Sequence, residues 1–145
     1  MKAVVQRVKQ TKLSVEGELV SQINGGLTVF LGVKRGDCVK QADWIAKKIA
    51  SLRIFEDENG KMNLSVKDVK GEVLLVSQFT LYGDASHGNR PSFTEAEEPS
   101  KANELYEYCA ERIRSMDVPV KLGVFGADMK IEQYNDGPVT IILEI

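Results

Sequence analysis

The C-terminal stretch QYNDGPVTIILEI (133–145) decides how the last part of the chain folds. From Val139 to Ile145 the residues are apolar and mostly β-branched, which is typical of a buried strand. The segment Asn135-Asp136-Gly137-Pro138 stands directly before it, and these four residue types favour turns for different backbone reasons. The commoner explanation is a hairpin turn between two strands. The alternative is that a rigid Gly-Pro corner presents main-chain atoms to a ligand.

The rest of the chain alternates strand and turn signals around two helical patterns. Apolar residues at helical spacing predict an amphipathic helix over 38–51, capped by Gly36-Asp37, and a second helix that begins at Pro99. Strands are predicted at 3–8, 13–15, 19–23, 27–33, 53–55, 62–66, 73–76, 118–124, 129–134 and 139–145. Because these strands and helices show no regular β-α-β alternation, we expect an α+β fold with a curled, barrel-like sheet that is mostly antiparallel or mixed.

Composition indicates an ordinary globular protein. The 145 residues, of which 43% are hydrophobic and 28% charged, fit a single domain spanning 1–145. No apolar run approaches the ~20 residues of a membrane span, and the N-terminus lacks a signal peptide's apolar core. We therefore expect a cytoplasmic protein without membrane association. The net charge of −2 argues against a general nucleic-acid coat protein, yet local basic patches such as Lys34-Arg35, Lys47-Lys48 and Arg90 remain available.

The usual catalytic groups are missing from the sequence. His87 is the single histidine and lies in a long polar loop, 83–98, while Cys38 and Cys109 are isolated. These residues do not make a zinc site, and no phosphate-binding or dinucleotide motif appears. We therefore expect neither a metal nor another cofactor.

Three segments carry the remaining signals of a functional site. The polar run 77–80 follows a buried strand directly, at a strand end where functional residues gather. A Pro-stiffened loop, 88–93, holds a lone arginine. The run 123–127 places two glycines around an aromatic residue, where another group can approach the backbone closely.

In their order along the chain, VSQFTLYGD (76–84), GNRPSF (88–93), GVFGADM (123–129) and NDGPVT (135–140) resemble the motifs of the D-aminoacyl-tRNA deacylase family, also called D-Tyr-tRNA(Tyr) deacylases. The likeness begins at MKAVVQRV (1–8), includes LRIFEDENGKMNLSV (52–66) and so spans essentially the whole chain. It implies a homodimeric hydrolase that cleaves the ester between a D-amino acid and the 3′-terminal adenosine of tRNA. The family also removes glycine mischarged onto tRNA(Ala).

The resemblance also implies roles for individual residues. The catalytic segment is Ser77, Gln78, Phe79 and Thr80. We expect the backbone N–H groups of Gln78, Phe79 and Thr80 to bind the developing oxyanion. A cis Gly-Pro bond reaches into the partner subunit's site and rejects L-amino acids, and the RNA's own 2′-hydroxyl assists water attack. The substrate-binding residues implied are Gly137, Pro138, Val139, Thr140, Phe125, Ala127 and Met129. We expect tRNA to contact Arg90, Lys34 and Arg35.

Two alternatives remain open at this stage. The chain could be a non-catalytic RNA-binding module of the same fold, or a thioesterase or peptidase with Thr80 as nucleophile. The intact Ser77-Gln78 and Gly137-Pro138 motifs argue against the first, and the lack of a partner base argues against the second. One departure is His87, where the family usually has Lys or Arg before Gly88, so contact of this loop with tRNA phosphate is expected to be weaker or pH-sensitive.

Overall fold

A computed structural model describes residues 1–145, which form eight strands and two α-helices. These elements are β1 (Lys2–Val15), β2 (Glu18–Ile23), β3 (Gly26–Gly32), α1 (Val39–Ser51), β4 (Phe55–Glu56), β5 (Met62–Leu64), β6 (Glu72–Ser77), α2 (Pro99–Arg114), β7 (Val120–Leu122) and β8 (Met129–Glu144). A single 3₁₀ turn, Phe79–Tyr82, follows β6. The predicted α+β class and both predicted helices are confirmed. Neither helix combines the length and the apolar character that crossing a membrane requires.

Strand β1 organises the sheet because it pairs with three others. Along one edge it runs antiparallel to β8, and along the other it pairs with β3 in its first half and β2 in its second. The segments 3–8 and 13–15, predicted as separate strands, are therefore one continuous strand with different neighbours. β6 and β7 extend the sheet in parallel from β3.

The sheet curls until β7 approaches β2, so it is nearly closed. Ser21 Oγ donates to the Leu122 carbonyl over 2.7 Å, and Lys121 Nζ donates to the Gln22 carbonyl over 2.6 Å. These side-chain bonds join two strands that share no backbone ladder. The barrel-like mixed sheet expected from the sequence is confirmed.

Alternating residues of the central strands enter two different cores. On β6, Val73 and Leu75 belong to the larger core between the sheet and both helices, while Leu74 and Val76 belong to a small cluster inside the curled sheet. Because side chains of a strand alternate between faces, a strand with apolar surroundings on both sides must be apolar at every position. This explains the uninterrupted apolar run of β6.

The C-terminal stretch forms one strand, so the hairpin turn expected at Asn135–Pro138 is wrong. Both halves of β8 pair with β1, and the register jumps from Val8 opposite Asn135 to Gln6 opposite Thr140. Residues 136–139 of β8 thus face Arg7 alone, which makes the Gly-Pro segment a wide bulge within the strand. Turn-forming residues bend this strand outward without ending it.

The N-terminus and the start of α1 are joined by a buried ion pair. The Met1 ammonium group lies 2.8 Å from the Asp37 carboxylate, which also accepts from Lys34 N over 2.7 Å. Because Asp37 is engaged there, it does not cap α1 as predicted. The N-cap is Cys38, whose N–H donates to the Gln41 side chain over 3.0 Å.

Candidate active site

A cavity of about 310 Å³ opens where β6 ends. It brings together two segments that the sequence had singled out, the end of β6 with the 3₁₀ turn and the β7–β8 connection. Six of the predicted site residues line it: Ser77, Gln78, Phe79, Phe125, Ala127 and Met129. Leu31, Val33, Val76 and Ile131 make much of the remaining wall apolar. The cavity is a small, largely apolar pocket with few polar groups, as is usual for sites that bind small molecules.

Two backbone N–H groups at the end of β6 are free to bind a ligand. Phe79 N and Thr80 N stand at the start of the 3₁₀ turn, and neither donates to a protein acceptor. Gln78 N, by contrast, donates to the Leu31 carbonyl over 2.8 Å. Of the three N–H groups expected to bind the oxyanion, only those of Phe79 and Thr80 are therefore available.

Thr80 has no group beside it that can activate its hydroxyl. Its Oγ1 accepts a hydrogen bond from the Gln78 side-chain amide, which is not a base. The residue is also absent from the cavity wall, although its neighbour Phe79 lines it. The environment of Thr80 is thus that of a hydrogen-bonded hydroxyl and not that of a nucleophile with a partner base.

The wall of the cavity opposite β6 depends on an aromatic pair. The Tyr106 hydroxyl donates to the Leu75 carbonyl over 2.7 Å, and burial raises the pKa of this phenol well above its usual value. Its ring packs against Phe125, with the ring centres 6.0 Å apart. Tyr106 is a buried residue of α2, and the sequence gave no sign of its place at the cavity.

A tight turn after β7 directs Phe125 and Ala127 towards the cavity. Ala127 N donates to the Val124 carbonyl over 3.2 Å, and Gly126 has a φ of +76°, which favours glycine. A Cβ on Gly123 would lie 2.8 Å from Met129 Sδ. The first glycine therefore leaves room for Met129, and the second permits the turn.

Glu97 is an ionised carboxylate at the cavity wall that the sequence did not reveal. It accepts hydrogen bonds from Lys101 Nζ (2.8 Å), Glu98 N (3.0 Å) and Gly36 N (3.3 Å). The bond from Lys101 and the backbone bonds lower the pKa of Glu97 to about 2. Such a carboxylate is a poor general base near neutral pH. It instead ties the loop before α1 to the cavity wall.

The Gly137-Pro138 corner is exposed and does not reach the cavity of its own chain. Its peptide bond is cis, in agreement with the resemblance. On β8, Ile131 lines the cavity and pairs with Leu13 of β1, whereas the corner lies opposite Arg7 of β1. Six residues of strand separate these positions, which is about 20 Å at ~3.4 Å per residue.

Arg7 holds the corner in place, a role that the sequence did not indicate. Its side chain is buried, with a relative exposure of 8%. Its Nη1 donates to the Ile54 carbonyl over 2.7 Å, and its Nε donates to the Asp136 carbonyl over 3.1 Å. The Asp136 carboxylate lies 3.4 Å from Nε as well. The guanidinium thereby fixes the residue that precedes Gly137.

The three residues expected to contact tRNA differ in how far their charges are already engaged by the protein. Lys34 Nζ is 3.2 Å from the Glu95 carboxylate, and Arg35 Nε donates to the Ala96 carbonyl over 3.3 Å. Arg90 is exposed in the loop 83–98. None of the three lines the cavity, and their contact with tRNA stays a prediction.

Comparison with known proteins gives the chain its family. Residues 4–144 match the family model described as D-Tyr-tRNA(Tyr) deacylase. The D-aminoacyl-tRNA deacylases of Geotalea daltonii and Thermotoga petrophila are 56% and 55% identical to it, covering 99% of this chain and 96% and 97% of theirs. A solved structure titled "c-Myc DNA Unwinding Element Binding Protein" is 43% identical, with a TM-score of 0.94 over 100% of this chain and 99% of that one. The chain belongs to the D-Tyr-tRNA(Tyr) deacylase family.

Proposed function

We propose that this protein hydrolyses the ester bond of D-aminoacyl-tRNA, releasing the D-amino acid and free tRNA, and leaves L-aminoacyl-tRNA intact. The observation that carries the proposal is the apolar cavity lined by Phe79, whose backbone N–H is unengaged, as is the N–H of the next residue, Thr80. The curated relatives named as D-aminoacyl-tRNA deacylases support the same activity. Because aminoacyl-tRNA is used in translation, the expected place of action is the cytoplasm.

The chemistry needs little from side chains because the substrate is an activated ester. Water adds to the carbonyl carbon, and negative charge develops on the carbonyl oxygen. Phe79 N and Thr80 N stabilise this oxygen, at about 3–4 kcal/mol per donor in favourable cases. The bond to the ribose 3′-oxygen then breaks, and this oxygen takes up the proton that the attacking water has lost. By resemblance to the family, the ribose 2′-hydroxyl assists the attacking water, which agrees with the absence of a base beside Thr80.

Selection between D- and L-amino acids requires a second copy of the chain. We place the partner subunit's Gly137-Pro138 corner over the cavity, because the corner of the same chain is about 20 Å too far along β8 to serve. The corner's carbonyls accept from the α-amino group of a D-substrate. An L-substrate in the same pose drives its side chain into fixed main chain and is rejected. Val139 and Thr140 complete the partner's contribution.

Glycine passes this selection because it has no side chain to collide with the corner. The protein should therefore also release glycine from tRNA(Ala), as the family does. A cavity of about 310 Å³ has the size of a small-molecule site, so most of the tRNA must bind outside it. We propose a homodimer of single-domain subunits that each engage one 3′ end.

Incubation with D-Tyr-tRNA, L-Tyr-tRNA and Gly-tRNA(Ala) tests the activity directly. We expect release of D-Tyr and glycine with L-Tyr retained, measured as the loss of acid-precipitable label. Equal release of D- and L-Tyr contradicts the selection mechanism. Binding of tRNA without release of any amino acid would favour the non-catalytic RNA-binding module.

The requirement for a second subunit is tested by mixing two inactive variants. One variant carries Phe79→Pro, which removes an oxyanion N–H group, and the other carries Gly137→Val, which blocks the corner. If each site combines both chains, heterodimers regain one complete site, and a one-to-one mixture should recover about a quarter of the wild-type activity under random pairing. A mixture as inactive as its parents contradicts the shared site.

A further inference from the structure

Helix α1 presents a basic face to solvent. Lys40, Trp44, Lys47 and Lys48 fall within about 100° of one another on a helix, which has 3.6 residues per turn. The three lysines are exposed and Trp44 is half-buried. The Lys48 ammonium lies 5.4 Å from the centre of the Trp44 ring. The opposite face enters the core through Ala42, Ile45, Ala46 and Ile49. We call the outward set Lys40, Trp44, Lys47 and Lys48 the α1 basic face.

The positive charge of this face is not neutralised within the chain. Of the chain's thirteen lysines, seven form ion pairs, and three of the remaining six lie on the α1 basic face. The single acidic residue of α1, Asp43, is engaged by Arg112 at 2.7 Å. Three uncompensated charges on one helix face stand out in a protein whose net charge is −2.

The α1 basic face begins next to the cavity. Val33 lines the cavity, and its carbonyl accepts from Glu97 N over 3.0 Å. Glu97 in turn accepts from Gly36 N, three residues before α1 begins. Lys40 lies in the first turn of the helix, and Lys47 is about 10 Å further along at ~1.5 Å per residue. A ligand whose end occupies the cavity can therefore continue along this face.

We propose that the α1 basic face binds backbone phosphates of the tRNA acceptor stem while the 3′ end of the same tRNA occupies the cavity. The inference rests on the proposed function, which supplies a polyanion anchored at the cavity. Lysine ammonium groups neutralise phosphates and release condensed counterions, which is the main source of sequence-independent affinity for nucleic acids. The structure favours this face over Lys34, whose charge is already engaged by Glu95.

The expected size of the effect follows from counterion release. Each phosphate contact contributes a slope of about −0.7 to −0.9 in log K against log[salt]. At 0.1 M salt this amounts to about 5- to 8-fold in affinity for each lysine that makes contact. Two lysines together should account for about 25- to 60-fold in affinity and for about −1.4 to −1.8 of the slope.

A pair of matched double variants tests the proposal. K47Q/K48Q removes two charges from the α1 basic face, and K61Q/K70Q removes two exposed lysines that also lack an ion pair but lie elsewhere. With D-Tyr-tRNA at 0.1 M salt, we expect K47Q/K48Q to raise KM about 25- to 60-fold at unchanged kcat, and K61Q/K70Q to change KM less than about twofold. Equal effects of the two double variants would overturn the proposal.

A minimal substrate separates phosphate binding from damage to the cavity. The D-tyrosyl ester of adenosine alone keeps the reacting bond but lacks the acceptor stem. The defect of K47Q/K48Q should vanish on this ester, and K47R/K48R should restore the KM for tRNA because arginine keeps the charge. A defect that persists on the adenosine ester would show a structural effect and overturn the proposal.

Trp44 gives a readout that does not depend on catalysis. It is the single tryptophan of the chain, so its fluorescence reports on the α1 basic face alone. Titration with deacylated tRNA should change its emission with a midpoint that rises steeply with salt, and K47Q/K48Q should weaken this response. No change of emission at saturating tRNA would overturn the proposal, as would an equal response to anionic phosphatidylserine vesicles. If wild-type protein releases amino acid from neither substrate, the proposed function fails, while this titration still decides the inference.

Discussion

Replacing Arg7 with methionine should loosen the Gly-Pro corner without removing the strand that carries it. Methionine retains most of the apolar stem but none of the donors. The Ile54 and Asp136 carbonyls then lose the guanidinium at 2.7 and 3.1 Å. The Asp136 carboxylate also loses the closer of its two basic neighbours, since Lys9 lies at 3.6 Å against 3.4 Å for Arg7.

The cost can be worked out from these contacts. An acceptor left without a partner in a buried position costs about 1–3 kcal/mol, so two carbonyls give about 2–6 kcal/mol. The loss of the ion pair adds little to this, because the Asp136 side chain is 35% exposed and keeps Lys9 beside it at 3.6 Å. We expect Arg7→Met to lower the free energy of unfolding by about 3–5 kcal/mol. Proteins of this kind have about 5–15 kcal/mol in total, so the variant should remain folded at room temperature.

Activity should fall by more than stability alone explains. A displacement of about 1 Å in a group that positions the substrate can cost about 10²-fold in rate. We therefore expect hydrolysis of D-Tyr-tRNA to drop on the order of 100-fold while circular dichroism stays that of the wild type. Arg7→Lys keeps the charge but cannot donate to both carbonyls at once, because it lacks the forked guanidinium. Its rate of hydrolysis should therefore lie between those of the wild type and Arg7→Met.

Urea unfolding at fixed protein concentration and single-turnover deacylation are the two measurements. Arg112→Met is the matched control, because Arg112 pairs with Asp43 at 2.7 Å with both side chains nearly half-exposed. A surface pair of this kind contributes about 0–1 kcal/mol. If Arg7→Met unfolds at the same urea concentration as Arg112→Met and hydrolyses D-Tyr-tRNA at the wild-type rate, the assigned role of Arg7 is wrong.

Three further predictions concern the rest of the molecule. Thr80→Ala should reduce deacylation only modestly, because the backbone N–H remains; a covalent aminoacyl adduct on Thr80, detected by mass spectrometry, would contradict this. The pKa of Glu97 is lowered to about 2 from an ordinary 4.5, so its stabilisation is complete above pH ~4.5 and disappears as pH falls towards 2; Glu97→Gln should flatten this part of the acid unfolding curve, and an unchanged curve would count against it. Gly26→Ala should destabilise the fold by at least about 3 kcal/mol, because a Cβ there would lie 1.9 Å from the Glu72 carbonyl oxygen. Gly25→Ala meets nothing within 4 Å and is its control; similar urea midpoints for the two would refute the packing argument.

Much of the fold could be predicted from local pattern. The helices were located because apolar residues at helical spacing report on one buried face, and both begin within one residue of the predicted positions. Strands were predicted at 53–55 and 62–66, and β4 and β5 pair there in antiparallel register across Asn59-Gly60, a dipeptide that favours a tight turn. These features depend on interactions between residues close in sequence.

The continuity of β8 was decided by the tertiary structure. Asn135-Asp136-Gly137-Pro138 has the composition of a turn whether the following residues fold back or continue onward. Strand β1 pairs with both halves of β8 and so keeps them in one strand, although β1 lies more than a hundred residues away in sequence. Local conformational preference cannot contain that information, because the same preference fits a hairpin and a bulge.

The site divides in the same way. The motif residues at the end of β6 and after β7 were recognisable in the sequence, and the cavity joins them. Arg7 and Glu97 were not, because an arginine in a strand and a glutamate in an acidic run have ordinary local surroundings. Their importance comes from the groups that the fold brings beside them. Arg7 donates to two carbonyls, and Glu97 accepts from one ammonium group and two backbone N–H groups. The sequence by itself determined which residues carry the family's motifs, while the tertiary structure decided which other residues hold them in place, since buried polar groups must find partners wherever the fold brings one within reach.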